Sequence, residues 1–126
     1  MFCFDLNRVA VITPHADDES LGCGGTLLKF RDQIECLDIA LCGEAGIQHR
    51  NGTFVSAETR LQEFGEVCKL LGATQHCFGL EDRKLYEKHA DLVDMFDRFL
   101  DQVQPTLLFA PYVSFHQDHR TVYEAV

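Results

Sequence analysis

The chain is poor in cations, in proline and in long apolar runs, and each shortage argues against a class of function. Lysine and arginine number 11 against 20 aspartates and glutamates, a formal charge of −9. The acids are spread along the chain and not gathered in a tail. This balance argues against nucleic acid or an anionic membrane surface as a main partner. No apolar run approaches the roughly 20 residues that a bilayer-spanning helix needs, and Met1-Phe2-Cys3-Phe4 is too brief for the apolar stretch of a signal segment. With three prolines, no low-complexity stretch and no internal repeat, the 126 residues suit one folded domain, 1–126, with a modest core. The six cysteines (Cys3, Cys23, Cys36, Cys42, Cys68 and Cys77) include no Cys-x-x-Cys pair. Most fall among apolar neighbours, which reads as reduced, buried thiols in a soluble cytoplasmic protein. The Asn51-Gly52-Thr53 sequon is then incidental.

What is present is an alternation of strand and helix patterns. Val9 to Thr13 is a β-branched run stopped by Pro14, and Asp18 to Arg31 reads as a helix with acids in its first turn. Ile34 to Cys42 reads as a second strand, followed by the loop Gly43 to Gly46 and an exposed polar stretch, Gln48 to Thr53. Helical spacing returns from Ser56 to Leu71 with Gly72 as its stop. A short strand, Gln75 to Leu80, precedes a helix from Asp91 to Val103, and Pro105 leads into a strand at Thr106 to Ala110. A further helix begins after His119. Such alternation implies an α/β fold, a three-layer Rossmann-like (αβα) arrangement around a mostly parallel sheet with right-handed crossovers. Ligands of such sheets bind beyond the carboxyl ends of the strands.

Two polar clusters lie at those ends: His15-Ala16-Asp17-Asp18-Glu19 and His116-Gln117-Asp118-His119. Carboxylates and imidazoles crowded beside apolar strands cost stability unless a cation or a catalytic role requires them. The first cluster alone could merely cap and charge a helix start, and the second alone could be a solvated helix N-terminus. Together they supply enough ligands for a metal site with acid–base groups to spare, the outline of a metal-dependent hydrolase. The glycines Gly22, Gly24 and Gly25 let a helix approach the sheet or a substrate approach the backbone. No Gly-Lys-Ser/Thr accompanies them, so this is no phosphate loop. His49, His76 and His89 lack clustered carboxylates and read as surface or packing residues.

These residues resemble the PIG-L/LmbE-like N-acetylglucosaminyl deacetylases. The family's His-Pro-Asp-Asp-Glu opening and Gly-x-Gly-Gly helix start correspond to His15 through Gly25, and its later His-x-Asp-His to His116 through His119. Arg60-Leu61-Gln62-Glu63, Leu71-Gly72 and Gly79-Leu80-Glu81-Asp82 are similar to features between them. The resemblance runs from about residue 8 to the end, with Ala16 in place of the usual proline and a chain shorter than typical members. It implies hydrolysis of the acetamide of an N-acetylglucosamine-type sugar conjugate. His15, Asp18 and His119 would hold Zn²⁺, with Fe²⁺ an alternative for the same set. Asp17 would be the general base, and His116 would be protonated to stabilise the oxyanion, with donation of a proton to the leaving amine as a further role and Asp118 orienting it. Glu19 would support the ligands, while Arg60 and Asp82 would contact the sugar, a salt bridge being an equal role for Arg60. Alternatives are a truncated, non-catalytic sugar- or metal-binding fragment and a hydrolase of another bond such as a phosphoester. A shortened sheet could also have its edge covered by a second copy of the chain.

Overall fold

Val9 to Thr13 is buried throughout, as a β-branched run between two helical layers must be. It forms most of β1 (Arg8–Thr13) in the computed structural model, which describes residues 4–126. Most of the Met1–Phe4 start lies outside the described residues. The sheet contains β1, β2 (Cys36–Glu44), β5 (Thr74–Glu81) and β6 (Leu107–Phe109) in the order β5-β2-β1-β6, with every pairing parallel. A separate antiparallel pair, β3 (Ile47–Gln48) with β4 (Phe54–Val55), carries the exposed polar stretch as its tip.

Period-two alternation along the central strands divides the core between the faces. On one face Val9, Val11, Leu37, Ile39 and Leu41 meet Leu27 of α1 (Gly25–Lys29) and Phe64, Cys68 and Leu71 of α2 (Ala57–Leu71). On the other, Ala10, Ile12, Ala40 and Cys42 meet Leu92, Phe96, Phe99 and Val103 of α3 (His89–Val103) and Val122 of α4 (Gln117–Ala125). The small strand residues on this second face leave room for two phenylalanine rings. The three-layer αβα architecture is therefore as the sequence implies.

Several local expectations need correction. The segment from Asp18 to Arg31 is not one α-helix: a π-helical turn (Ser20–Gly24) runs into the short α1, and a 3₁₀ turn (Arg31–Gln33) follows. The second strand starts and ends two residues later than its apolar run, because Ile34 caps the 3₁₀ turn, and Gly43 and Glu44 extend the pairing with β5. Cys42 and Cys68 are buried and Cys23 half-buried, but Cys36 and Cys77 are exposed. Cys77 lies on β5, an edge strand whose alternate residues face solvent, and Cys36 is the first residue of β2.

The chain proceeds outward from β1 to β2 to β5, then returns to place β6 on the opposite side of β1. The strand order thus reverses at β1, and a crevice opens where the loops after β1 and β6 diverge. Both polar clusters follow these two strands.

Candidate metal and catalytic site

The first cluster folds as a tight turn. The Asp18 N–H donates to the His15 carbonyl at 3.3 Å, and the Asp18 carboxylate accepts from the His15 N–H at 3.0 Å. The turn exposes Asp17 with φ of 131°, a conformation that favours glycine and costs another residue about 1–3 kcal/mol. The second cluster starts α4. His116 is its N-cap, and its ring Nδ1 accepts the Asp118 N–H at 3.2 Å.

Across the crevice, the ligand atoms of His15, Asp18 and His119 all lie within 4.8 Å of one another. Asp18 Oδ2 is 3.2 Å from His15 Nδ1 and 3.0 Å from His119 Nε2. Two donors bound at about 2.0–2.1 Å to one tetrahedral Zn²⁺ sit about 3.3 Å apart, so the residues present fit a divalent ion. The far nitrogen of His15, Nε2, lies 2.9 Å from Asp118 Oδ2. That carboxylate is fully buried and also accepts from the Arg83 and Leu85 N–H groups. A carboxylate on the remote nitrogen fixes the ring's tautomer and leaves Nδ1 free as a ligand. Asp118 was expected to orient His116, yet its side chain anchors His15 and only its backbone N–H reaches His116. A second convergent group, His15, His116 and Asp118, is this same arrangement seen from the other nitrogen.

The electrostatics follow from the crowding. Burial opposes a charge on His15, but hydrogen bonds to Asp18 and Asp118 outweigh it and raise its pKa to about 9. Burial also works against ionised Asp18, and the hydrogen bond from His15 with the charge of His119 reverses the balance, lowering its pKa. Asp17 is pushed up by burial and by neighbouring Asp18, against the pull of Arg60, His15 and His119. His116 is pushed down by burial and by the charge of His15, so the protonated imidazole expected from the sequence is disfavoured in the metal-free protein. With Nδ1 already accepting a hydrogen bond, a neutral His116 carries its proton on Nε2.

Arg60 and Asp82, expected as sugar contacts, pair with each other, the salt bridge that was the equal expectation for Arg60. Arg60 donates to the carbonyls of Ala16 at 3.1 Å and Ala45 at 3.0 Å, and to Asp82 Oδ2 at 3.3 Å. Asp82 Oδ1 is buried without a hydrogen-bond partner and packs against Gly43, where an added Cβ would lie 2.3 Å from it. The Arg83 and Leu85 amides, the Ala45 carbonyl and the cleft wall were not foreseen, because backbone groups carry no residue signature. The cleft, of about 450 Å³, runs from Asp18, Glu19 and His119 to Leu21, Cys23, Phe109 and Tyr112. Gly22 also lines it, and a Cβ at Gly22 or Gly25 would meet nothing within 4 Å. At those two positions, close helix–sheet packing is not what glycine provides.

Residues 10–126 match the family model described as PIG-L, GlcNAc-PI de-N-acetylase. The chain belongs to this family. It is 34% identical over 129 residues to a protein named probable N-acetyl-α-D-glucosaminyl L-malate deacetylase 2 of Bacillus subtilis, a match covering 94% of this chain and 58% of the relative. The fold is similar to that of an N,N′-diacetylchitobiose deacetylase from Pyrococcus horikoshii (27% identity, TM-score 0.75, 96% of this chain and 48% of that one). It is also similar to a 4-carboxy-2-hydroxymuconate hydratase from Pseudomonas putida (18% identity, TM-score 0.64, 94% and 53%). The chain therefore spans about half the length of these relatives. The hydratase shows that the scaffold alone does not fix the reaction.

Proposed function

We propose that this chain carries the metal-binding and proton-transfer residues of a deacetylase that removes acetate from an N-acetylglucosamine-type sugar conjugate. The observation that carries the reading is the convergence of His15 Nδ1, Asp18 Oδ2 and His119 Nε2 beside Asp17. The family match and the names of the relatives supply the bond and the sugar class.

Two imidazoles and a carboxylate suit Zn²⁺, which would polarise the acetamide carbonyl and acidify a water. Asp17, whose pKa burial and Asp18 raise, accepts the proton of the attacking water as the C–O bond forms. His116 donates from Nε2 to the oxygen that gains charge. Protonated Asp17 then returns its proton to the nitrogen as the C–N bond breaks, giving acetate and a free amine. Asp118 takes no part in proton transfer in this scheme; it holds His15 in place. The unpaired thiols among the described residues, two of them exposed, suit a reducing, cytoplasmic setting.

The test is acetate release from N-acetyl-α-D-glucosaminyl L-malate and from N,N′-diacetylchitobiose, with Zn²⁺ and after chelation. Metal-dependent release is expected. Stoichiometric metal binding without release above the uncatalysed rate would overturn the reading.

A further inference from the structure

Just beyond β5, Arg83 has φ of 66°, in the left-handed region that residues with a Cβ seldom occupy. Such a conformation persists only where its surroundings over-determine it. Here the first turn of α4 grips the residue at both backbone polar atoms. The Arg83 N–H donates to Asp118 Oδ2, and its carbonyl accepts from Gln117 Nε2. Asp118 Oδ1 also accepts the Leu85 N–H at 3.4 Å, which ties down the far side of the same turn. Glycine would fit this backbone without strain, so neither the turn nor its clamp requires an arginine side chain. That side chain is exposed, and among the described residues its guanidinium makes no ion pair or hydrogen bond. The acids beside it are engaged elsewhere, Asp82 with Arg60 at 3.3 Å and Glu81 with Lys84 at 2.8 Å. Its place relative to the candidate site is fixed, because the Arg83 N–H and His15 Nε2 share one acceptor, Asp118 Oδ2. An arginine side chain is long enough to cover that separation. The site it borders is rich in carboxylates, and Arg60 there is already engaged by Asp82 and two carbonyls.

We propose that Arg83 is a specificity-determining residue whose guanidinium binds an anionic group, carboxylate or phosphate, on the part of the conjugate beyond the N-acetylated sugar. This rests on the reading of the site as that of a sugar deacetylase. A planar guanidinium pairs with either oxyanion through two parallel N–H···O bonds. The clamp fixes the backbone from which the side chain extends, so less freedom is lost when the anion binds. Arg60 and Asp82 stay available to the sugar, and Arg83, the next residue along, reads the group attached to it.

Three substrates separate the outcomes. N-acetyl-α-D-glucosaminyl L-malate offers carboxylates, N-acetyl-α-D-glucosamine 1-phosphate offers a phosphate, and N,N′-diacetylchitobiose offers no anion. Arg83→Gly suits a φ of 66° better than arginine does, so the variant should fold with a Tm no lower than the wild type. It should raise KM for one or both anionic substrates on the order of 10-fold more than for chitobiose. The kcat should change little, as the loss of ground-state binding requires. Arg83→Lys, which keeps the charge without the paired donors, should recover part of the lost affinity. A shift confined to the malate conjugate names a carboxylate as the group, and one confined to the 1-phosphate names a phosphate. Equal shifts for all three substrates, or none, overturn the proposal and leave the deacetylase reading standing. No acetate from any of the three with the wild type overturns both.

Discussion

Asp17 is the residue where the proposed chemistry and the conformation conflict, since glycine would fit the turn but could not accept a proton. Asp17→Asn should keep the metal and lose about 10²–10⁴-fold in rate, the range for a general base. Kinetics and metal analysis on one preparation check both halves. Because burial and Asp18 raise its pKa, the acid limb of the pH–rate profile should lie above the ordinary 3.8, with activity lost as pH falls through the raised value. A limb at or below 3.8 contradicts the assignment. His15 yields a second pH effect of opposite sign. Its pKa of about 9, against 6.5 unfolded, means its protonated form stabilises the metal-free protein fully below 6.5. That contribution is lost as pH rises from 6.5 to about 9. A metal needs the unprotonated Nδ1, so its apparent affinity should rise up to about tenfold per pH unit over the same window. Calorimetry in buffers of different ionisation enthalpy should count a proton released on binding near pH 7. At this scale the residue types of the candidate site were legible, because His and Asp at strand ends need a reason to be there. Which partner each one faces was not: Asp118 sits beside His116 in sequence, yet the start of α4 turns its carboxylate to His15, 103 residues away.

Among the elements, α3 was read with little error. Leu92, Phe96, Phe99 and Val103 recur at helical spacing and all four are buried. The break after Asp18 was invisible, because a five-residue π-helical turn is too short to show an apolar period of its own. α2 offers a clean check of local stability. Ser56 caps it by accepting the Thr59 N–H at 3.1 Å, so Ser56→Ala should cost about 1 kcal/mol in chemical denaturation. Gly43, at the end of β2, is constrained by close approach and not by an unusual φ. A Cβ there would lie 3.1 Å from the Pro14 carbonyl as well as against Asp82. Gly43→Ala should therefore cost about 1–3 kcal/mol and, by displacing Asp82, weaken its pair with Arg60. A crystal structure of the variant with the Asp82 carboxylate unmoved would refute the second half.

For the whole molecule, the reversal of strand order at β1 joins fold and site, and it was half-legible. The alternation of elements announced a parallel sheet, whereas the place of β6 beside β1 depends on packing between residues far apart in sequence. The two candidate ligand loops are consequently neighbours in space only once that pairing exists. Because an ion binds the folded state and not the separated loops, Zn²⁺ at 100 times its Kd should stabilise the protein by about 2.7 kcal/mol, measurable as a rise in Tm that chelation reverses. The same arrangement has a consequence for synthesis. A growing chain displays His15 and Asp18 long before His119 emerges, and two ligands hold an ion weakly. Closing a loop of about 100 residues costs roughly 2 kcal/mol more than closing one of 10, so capture waits for the sheet to be completed. Ion uptake then acts as a clock for the end of folding: in stopped-flow refolding, the zinc-indicator signal should follow the slowest folding phase and not precede it.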